Sequence, residues 1–100
     1  MAYSWNNLAW INSNVEPINL NKALELTDRA LDAKQDANFY ETRGQILVKM
    51  ERWEEAIQNL EQAIRQAVPN PENAHRALAV IYDKLNKPER AAAHRAIAQP

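Results

Sequence analysis

The sequence predicts an all-α fold of three stacked antiparallel helix hairpins. Strong helix formers dominate the composition, and runs of Val, Ile and Thr that would indicate strands are absent. Proline and asparagine interrupt the chain at VEPINLN, VPNPEN and LNKPE. Small residues recur at a period of about 34, which is typical of repeated helical hairpins.

Six helices follow from the apolar periodicity and the interruptions. They are predicted near residues 3–13, 20–34, 37–50, 53–67, 71–85 and 88–98. The fourth helix has the clearest apolar stripe, running from Trp53 to Ile64 in helical steps. The second repeats that stripe from Leu20 to Leu31, with Thr27 as an interruption, and the sixth is a weaker version.

Capping residues support several of these boundaries. Asp36 is predicted to cap the third helix, and Asn70 to cap the fifth. Pro71 and Pro88 suit the first turns of the fifth and sixth helices, where a missing N–H costs nothing.

Three sets of small residues mark the repeat. Their members are Ala9, Gly44 and Ala79; Ala23, Ala56 and Ala91; and Ala30, Ala63 and Ala98. Gly44 is the only glycine in the chain, and a helix interior disfavours glycine by about 1 kcal/mol relative to alanine. We interpret it as a close-contact position that faces Ala56 in its own hairpin, the alternative being a helix end or a kink.

Composition limits the class of function. One hundred residues predict a single domain over residues 1–100. A formal charge of −1 gives no long-range attraction to nucleic acid or to an anionic membrane, and no apolar run reaches the roughly 18 residues of a membrane helix. The N-terminus lacks a secretory signal, so a cytoplasmic location is favoured, although the absence of cysteine does not settle the compartment.

The repeated residues resemble the tetratricopeptide repeat family, whose pattern is W-x2-L-G-x2-Y, then A-x3-F, a second alanine and a closing proline. The matching residues are Trp5, Leu8, Ala9, Ala23 and Ala30 in the first repeat; Tyr40, Gly44, Leu47, Ala56, Leu60, Ala63 and Pro69 in the second; and His75, Leu78, Ala79, Tyr82, Ala91 and Ala98 in the third. Arg43 stands where the family usually has leucine, and NNLAW is similar to the opening of bacterial versions. The three repeats cover approximately residues 2–35, 36–70 and 71–99.

This resemblance implies a right-handed solenoid whose first helices line a concave groove for a peptide or a partner protein. The implied role is that of a scaffold or adaptor without a cofactor. The predicted groove residues are Asn6, Trp10, Asn38, Thr42, Gln45, Lys49, Asn73, Arg76, Val80 and Lys84, with Ala77 among them and with Tyr3 and Ser13 at the edges.

Within that groove Trp10 is the one aromatic anchor. Asparagine and glutamine side chains can satisfy the N–H and C=O groups of an extended peptide. Lys49, Arg76 and Lys84 would suit an acidic or phosphorylated peptide, although Glu41 and Asp83 weaken that argument. The alternative is a merely solvated surface on which Trp10 packs against the loop containing Pro17 and Ile18.

Two known ligand-binding subtypes of the family do not match. The subtype that clamps a C-terminal carboxylate uses cationic side chains and asparagines, but the corresponding positions hold Asn6, Trp10, Thr42, Asn73 and Ala77. The subtype with an asparagine ladder, seen in the transferase that modifies serine and threonine with N-acetylglucosamine, would keep only Asn7. The sequence therefore predicts a different ligand.

Few groups of residues in the sequence suggest catalysis or metal binding. His75 and His94 lie in different helices with no third ligand at zinc spacing, and His75 takes the place of an aromatic packing residue. Glu54 and Glu55 open a helix, where carboxylates favour the positive end of the dipole. The sequence predicts neither catalysis nor a metal site.

The two ends of the repeat array raise further hypotheses. The polar sixth helix has the character of a built-in cap, whereas Trp5 and Leu8 have little chain before them to cover them. The chain is then either part of a longer repeat protein or a protein whose N-terminal edge pairs with another molecule, including a second copy of itself. A third hypothesis is a regulatory segment of an enzyme.

Overall fold

A computed structural model describes residues 1–98, and these residues form six α-helices. The helices are α1 (Ala2–Asn14), α2 (Leu20–Ala33), α3 (Ala37–Lys49), α4 (Trp53–Arg65), α5 (Glu72–Lys84) and α6 (Pro88–Ala98). Each boundary lies within two residues of the predicted one. The predicted all-α fold of helical hairpins is confirmed.

Consecutive helices pack as hairpins, which pair α1 with α2, α3 with α4 and α5 with α6. The first helices also touch their counterparts, α1 against α3 and α3 against α5. Within residues 1–98, the second helices α2, α4 and α6 make no such contacts with one another. Because the first helices approach each other more closely than the second helices do, the stack curves with α1, α3 and α5 on its inner face.

The repeating small residues lie in the interior of the helix stack. All nine are buried: Ala9, Ala23, Ala30, Gly44, Ala56, Ala63, Ala79, Ala91 and Ala98. The neighbour of Gly44 differs from the predicted one, because a Cβ at this position would lie 2.7 Å from Cγ of Leu60 rather than against Ala56. Leu60 is one helical turn further along α4 and fills the space that the glycine leaves.

Three helices end in the same way. The backbone turns left-handed at Glu51, Ala67 and Asn86, with φ of 58°, 57° and 62°. At each end the next residue donates its N–H to a carbonyl five residues back, as in Arg52 to Leu47. This is the Schellman arrangement, which satisfies carbonyls that the helix end leaves without partners. It also produces the short turn at which α3 meets α4 and α5 meets α6.

Of the two predicted helix caps, one is confirmed and the other is wrong. The Asp36 carboxylate accepts a hydrogen bond from the Asn38 N–H at 2.8 Å, so this cap is confirmed. The Asn70 cap is wrong: α5 starts after Pro71, which makes no side-chain cap bond. Asn70 has a left-handed φ of 57°, whereas a capping residue needs an extended backbone.

Candidate functional site

The inner face of the stack carries an open cleft of about 450 Å³. Helices α1, α3 and α5 each contribute to its walls. The lining residues are Trp10, Ser13 and Asn14 from α1; Glu41, Thr42, Gln45, Val48 and Lys49 from α3; and Asn73, Arg76, Ala77 and Val80 from α5. This volume lies within the usual range for small-ligand sites and accommodates a few residues of a peptide.

The structure brings seven of the ten predicted groove residues together in this cleft: Trp10, Thr42, Gln45, Lys49, Asn73, Arg76 and Val80. Ser13 and Ala77, which were also expected there, join them. Asn6, Asn38 and Lys84 do not line it. Sequence reasoning missed Asn14 and Val48, and it expected Glu41 only near the groove.

The cleft runs diagonally across the three helices, which explains these differences. Lys49 on α3 meets Ser13 and Asn14 on α1, residues 36 and 35 positions earlier. Gln45 on α3 instead meets Asn73 on α5, only 28 positions later. The cleft therefore uses the end of α1 and the beginning of α5, and it bypasses Asn6 near the start of α1 and Lys84 at the end of α5.

The Lys49 ammonium is held at the α1 side of the cleft. Its Nζ donates to the Ser13 carbonyl oxygen at 2.6 Å and to Oδ1 of Asn14 at 2.7 Å. Cations are favoured at the carbonyl-bearing end of a helix, where α1 stops at Asn14. Lys49 thus joins α3 to α1, and much of its hydrogen-bonding capacity is already used.

The α5 side is also cross-linked. Gln45 Nε2 donates to the Asn73 carbonyl oxygen at 3.2 Å. Arg76 donates to Oδ1 of Asn73 at 3.1 Å. These bonds orient the amides that line the cleft, and each side chain keeps polar atoms that a peptide backbone can pair with.

Glu41 is the one acidic residue of the cleft lining. Its Oε2 is buried and has no hydrogen-bond partner within the described residues. Burial raises the pKa of the Glu41 carboxyl, and the neighbouring charge of Glu72 raises it further. The negative charge at this point is therefore poorly compensated.

Apolar side chains flank the polar floor. Trp10 on α1 is 55% exposed and Val80 on α5 is 46% exposed. The Trp10 ring is thus half open, and its surface is available to an apolar side chain of a ligand.

Tyr3, predicted at the groove edge, instead ties α1 to the α2–α3 turn. Its ring meets Phe39 edge-on at 5.2 Å, and its hydroxyl donates to Asp36 at 3.2 Å and accepts from Lys34 at 2.6 Å. The Lys34 pKa is raised, chiefly by the bond to Tyr3. This residue stabilises the first repeat against the second.

His75 and His94 lie outside the cleft, between α5 and α6. Their Nδ1 atoms are 2.9 Å apart and share a hydrogen bond, while the His94 ring stacks on Tyr82. His75 thus packs in the hairpin surface as the sequence indicates. Burial lowers the pKa of His94, and His75 lowers it further, against an opposing effect of Glu61.

Residues 1–98 contain neither a group of metal ligands nor a helix that could span a membrane. No group of three or more His, Cys, Asp or Glu side chains is arranged to hold a metal ion in this part of the chain. No helix among the six described is long and apolar enough to cross a membrane.

The chain is similar to known proteins in the sequence of one repeat and in the fold of the whole stack. Residues 44–73 match the tetratricopeptide repeat family. The structure titled "Crystal structure of MamA" superposes with a TM-score of 0.84 at 19% identity, over 97% of this chain and 56% of that one. A point mutant of MamA gives a TM-score of 0.81 at 24% identity, over 97% of this chain and 69% of that one. No curated protein is significantly similar in sequence.

Proposed function

We propose that this tetratricopeptide repeat protein binds an extended segment of a partner protein in its inner cleft and serves as a scaffold or adaptor. The main support is the cleft itself, in which oriented polar groups lie between the exposed side chains of Trp10 and Val80. Concave surfaces of helical repeats are commonly used in this way.

The polar and apolar parts of the cleft have separate roles in this proposal. Thr42, Gln45 and Asn73 offer donors and acceptors that match the N–H and C=O groups of an extended backbone. Trp10 and Val80 supply the apolar contact, because burying a large side chain against an aromatic ring provides most of the affinity at typical hot spots.

Selection of peptides from a random displayed library tests this proposal. We expect the wild-type protein to enrich a peptide family and the Trp10→Ala variant to lose at least tenfold in affinity for it. Ile97→Ala is the matched control, because Ile97 is an exposed apolar residue on α6, away from the cleft. Equal binding by the Trp10→Ala protein, with its helical circular dichroism intact, contradicts binding in the cleft.

A second proposed interaction involves another copy of the chain at the N-terminal edge. Leu8 and Ile11 on α1 and Val15 and Ile18 in the loop that follows it are each between 45% and 49% exposed. Glu16 is the one charged side chain between Leu8 and Ile18, so two such edges repel each other only weakly through like charges. Four half-exposed aliphatic residues offer much less than the roughly 800 Å² per partner of a stable interface. We therefore expect weak, concentration-dependent association.

Sedimentation equilibrium distinguishes this interaction from cleft binding. The wild-type protein should shift toward dimer at high concentration, and the Leu8→Glu variant should stay monomeric because paired edges would bury a charge. Ile97→Glu provides the matched control. A monomer throughout the concentration range excludes self-association through this edge.

A further inference from the structure

We propose that the cleft selects a partner segment with an anionic side chain, a carboxylate or a phosphoryl group, that pairs with Arg76, next to a bulky apolar side chain at Trp10. This inference rests on the proposed binding of a peptide in the cleft and specifies the chemistry of that peptide. Lys49 supplies a second positive charge in the same cleft.

The first support is that both cations of the cleft have neutral hydrogen-bond partners. Arg76 donates to the side-chain oxygen of Asn73. Lys49 donates to the backbone oxygen of Ser13 and to the side-chain oxygen of Asn14. Neither cation forms an ion pair within residues 1–98. Both positive charges therefore remain available to an anion.

Arg76 is the better receptor of the two cations. Its side chain is exposed, and the bond to Asn73 uses one of the five N–H donors of a guanidinium group. The planar guanidinium can bond two oxygens of a carboxylate or a phosphoryl group at once. Lys49 keeps only one of its three N–H donors, so it acts mainly through its charge.

The acidic groups near the cleft do not cancel these charges. Glu41 is the single carboxylate of the lining, which thus carries two positive charges against one negative charge. The Oε2 atom of Glu41 is buried, where a ligand cannot reach it. Glu72, one helical turn before Arg76, forms no ion pair with it within residues 1–98, and as an exposed group it is screened by water and salt. Asp83 is paired with Arg95. The charge that the lining offers to a ligand is therefore positive.

The positions of the cations define the order of residues in the segment. Gln45 on α3 meets Asn73 on α5, so Lys49, one turn further along α3, stands close to the level of Arg76. The Lys49 ammonium turns to the end of α1, whereas the Arg76 side chain stays at α5. An extended segment that crosses the inner face from α1 to α5 therefore meets Trp10 first and Arg76 last. We expect its bulky apolar residue at the α1 side and its anionic residue at the α5 side.

Library selection on the Arg76→Gln variant tests this inference. The wild-type protein should enrich peptides that combine an aspartate or glutamate with a bulky apolar residue. The Arg76→Gln protein should bind such a peptide about fivefold more weakly and lose the acidic preference, while it keeps the apolar one. Arg65→Gln is the matched control, because Arg65 is an exposed arginine on α4, outside the cleft, that also bonds a neutral oxygen, that of Gln62.

Substitutions in the selected peptide distinguish the two sources of negative charge. Peptides with glutamate and with phosphoserine at the acidic position should each bind the wild-type protein more tightly than the peptide with glutamine. The tighter of the two identifies the anion that the cleft prefers. The advantage over glutamine should shrink at about 1 M salt, because salt screens exposed ion pairs. Equal binding of all three peptides at low salt overturns the inference.

A carbon-13 label on the glutamate of the peptide gives an independent readout. We expect the pKa of the labelled carboxyl to fall when the peptide binds the wild-type protein, since nearby cations favour the charged form. In the complex with the Arg76→Gln protein this pKa should fall less. An unchanged pKa in the wild-type complex would show that the carboxylate does not meet Arg76.

The possible outcomes separate the two proposals. If selection depends on Trp10 but an anionic residue brings no gain in affinity, the inference about Arg76 is wrong and binding in the cleft stands. If no selection depends on Trp10, the cleft is not the binding site and both proposals fail.

Discussion

Replacing Gly44 by alanine should destabilise the protein, although alanine is the better helix former. A Cβ at this position would lie 2.7 Å from Cγ and 2.8 Å from Cδ2 of Leu60, and 3.4 Å from the Leu60 backbone nitrogen. Carbon atoms in good contact are about 3.5–4.0 Å apart, so the leucine would have to retreat by close to 1 Å. Leu60 is fully buried, so it can retreat only by displacing neighbouring core side chains.

The net effect is the difference between two opposing contributions. Overpacking a filled core typically costs about 1–3 kcal/mol. The gain in helix propensity from glycine to alanine returns about 1 kcal/mol. Because the contact involves a branched carbon of a buried side chain, we expect a net loss of about 1–2 kcal/mol, and each kcal/mol lowers Tm by about 4–8 °C for a chain of this size.

A double-mutant cycle measured by urea unfolding tests the cause of this loss. In a Leu60→Ala background the clash is gone, so Gly44→Ala should stabilise the protein by about 1 kcal/mol. A stabilising osmolyte can keep the Leu60→Ala proteins folded during the measurement. The same effect of Gly44→Ala in both backgrounds would show that Leu60 does not require the glycine.

Three further predictions concern packing, helix ends and pH. Glu51→Gly should raise the unfolding free energy by about 0.5–1 kcal/mol in urea titrations, because glycine adopts the left-handed φ of 58° without strain. The control is Gln58→Gly in the exposed interior of α4, which should lower the unfolding free energy by about 1 kcal/mol. Ala63→Trp should cost about 1–3 kcal/mol at a fully buried position, whereas Ala92→Trp on the exposed face of α6 should leave Tm nearly unchanged. Because the pKa of His94 is lowered in the folded protein, its contribution to stability should be complete above about pH 6.5. This contribution should be lost as the pH falls through the lowered folded-state pKa. In His94→Gln, the dependence of the unfolding free energy on pH should become flatter.

A specific result would contradict each of these three predictions. A Glu51→Gly protein that is less stable than wild type would mean that the left-handed turn carries no strain. A tolerated tryptophan at position 63 would contradict the close helix crossing. A His94→Gln protein with an unchanged pH dependence would place the titrating group elsewhere.

The fold was predictable because few local features determine it. Six amphipathic segments, separated by residues that stop helices, can bury their stripes only by pairing. The small residues at a fixed period then identify the crossings, and Ala23, Ala56 and Ala91 are all fully buried. The exact partner of Gly44 was not predictable, because it depends on the axial shift between α3 and α4, which sequence spacing does not contain.

The candidate site was predictable in part. The repeat pattern indicates which helices face inward, and this places Trp10, Gln45 and Val80 in the cleft. It does not give the offset between α3 and α5, which moves the cleft away from Asn38 and toward Glu41. The hydrogen-bond partners of Lys49 could not be predicted either, since they lie 35 and 36 residues away in a neighbouring repeat.

Chemical-shift mapping of a library-selected peptide on the nitrogen-15-labelled protein locates the binding surface most directly. We expect the largest changes at Trp10, Gln45 and Val80 and at their backbone neighbours, on the three helices that line the cleft. Changes confined to Leu8, Ile11 and Val15, with the cleft unaffected, would place binding at the N-terminal edge and contradict a cleft-based function.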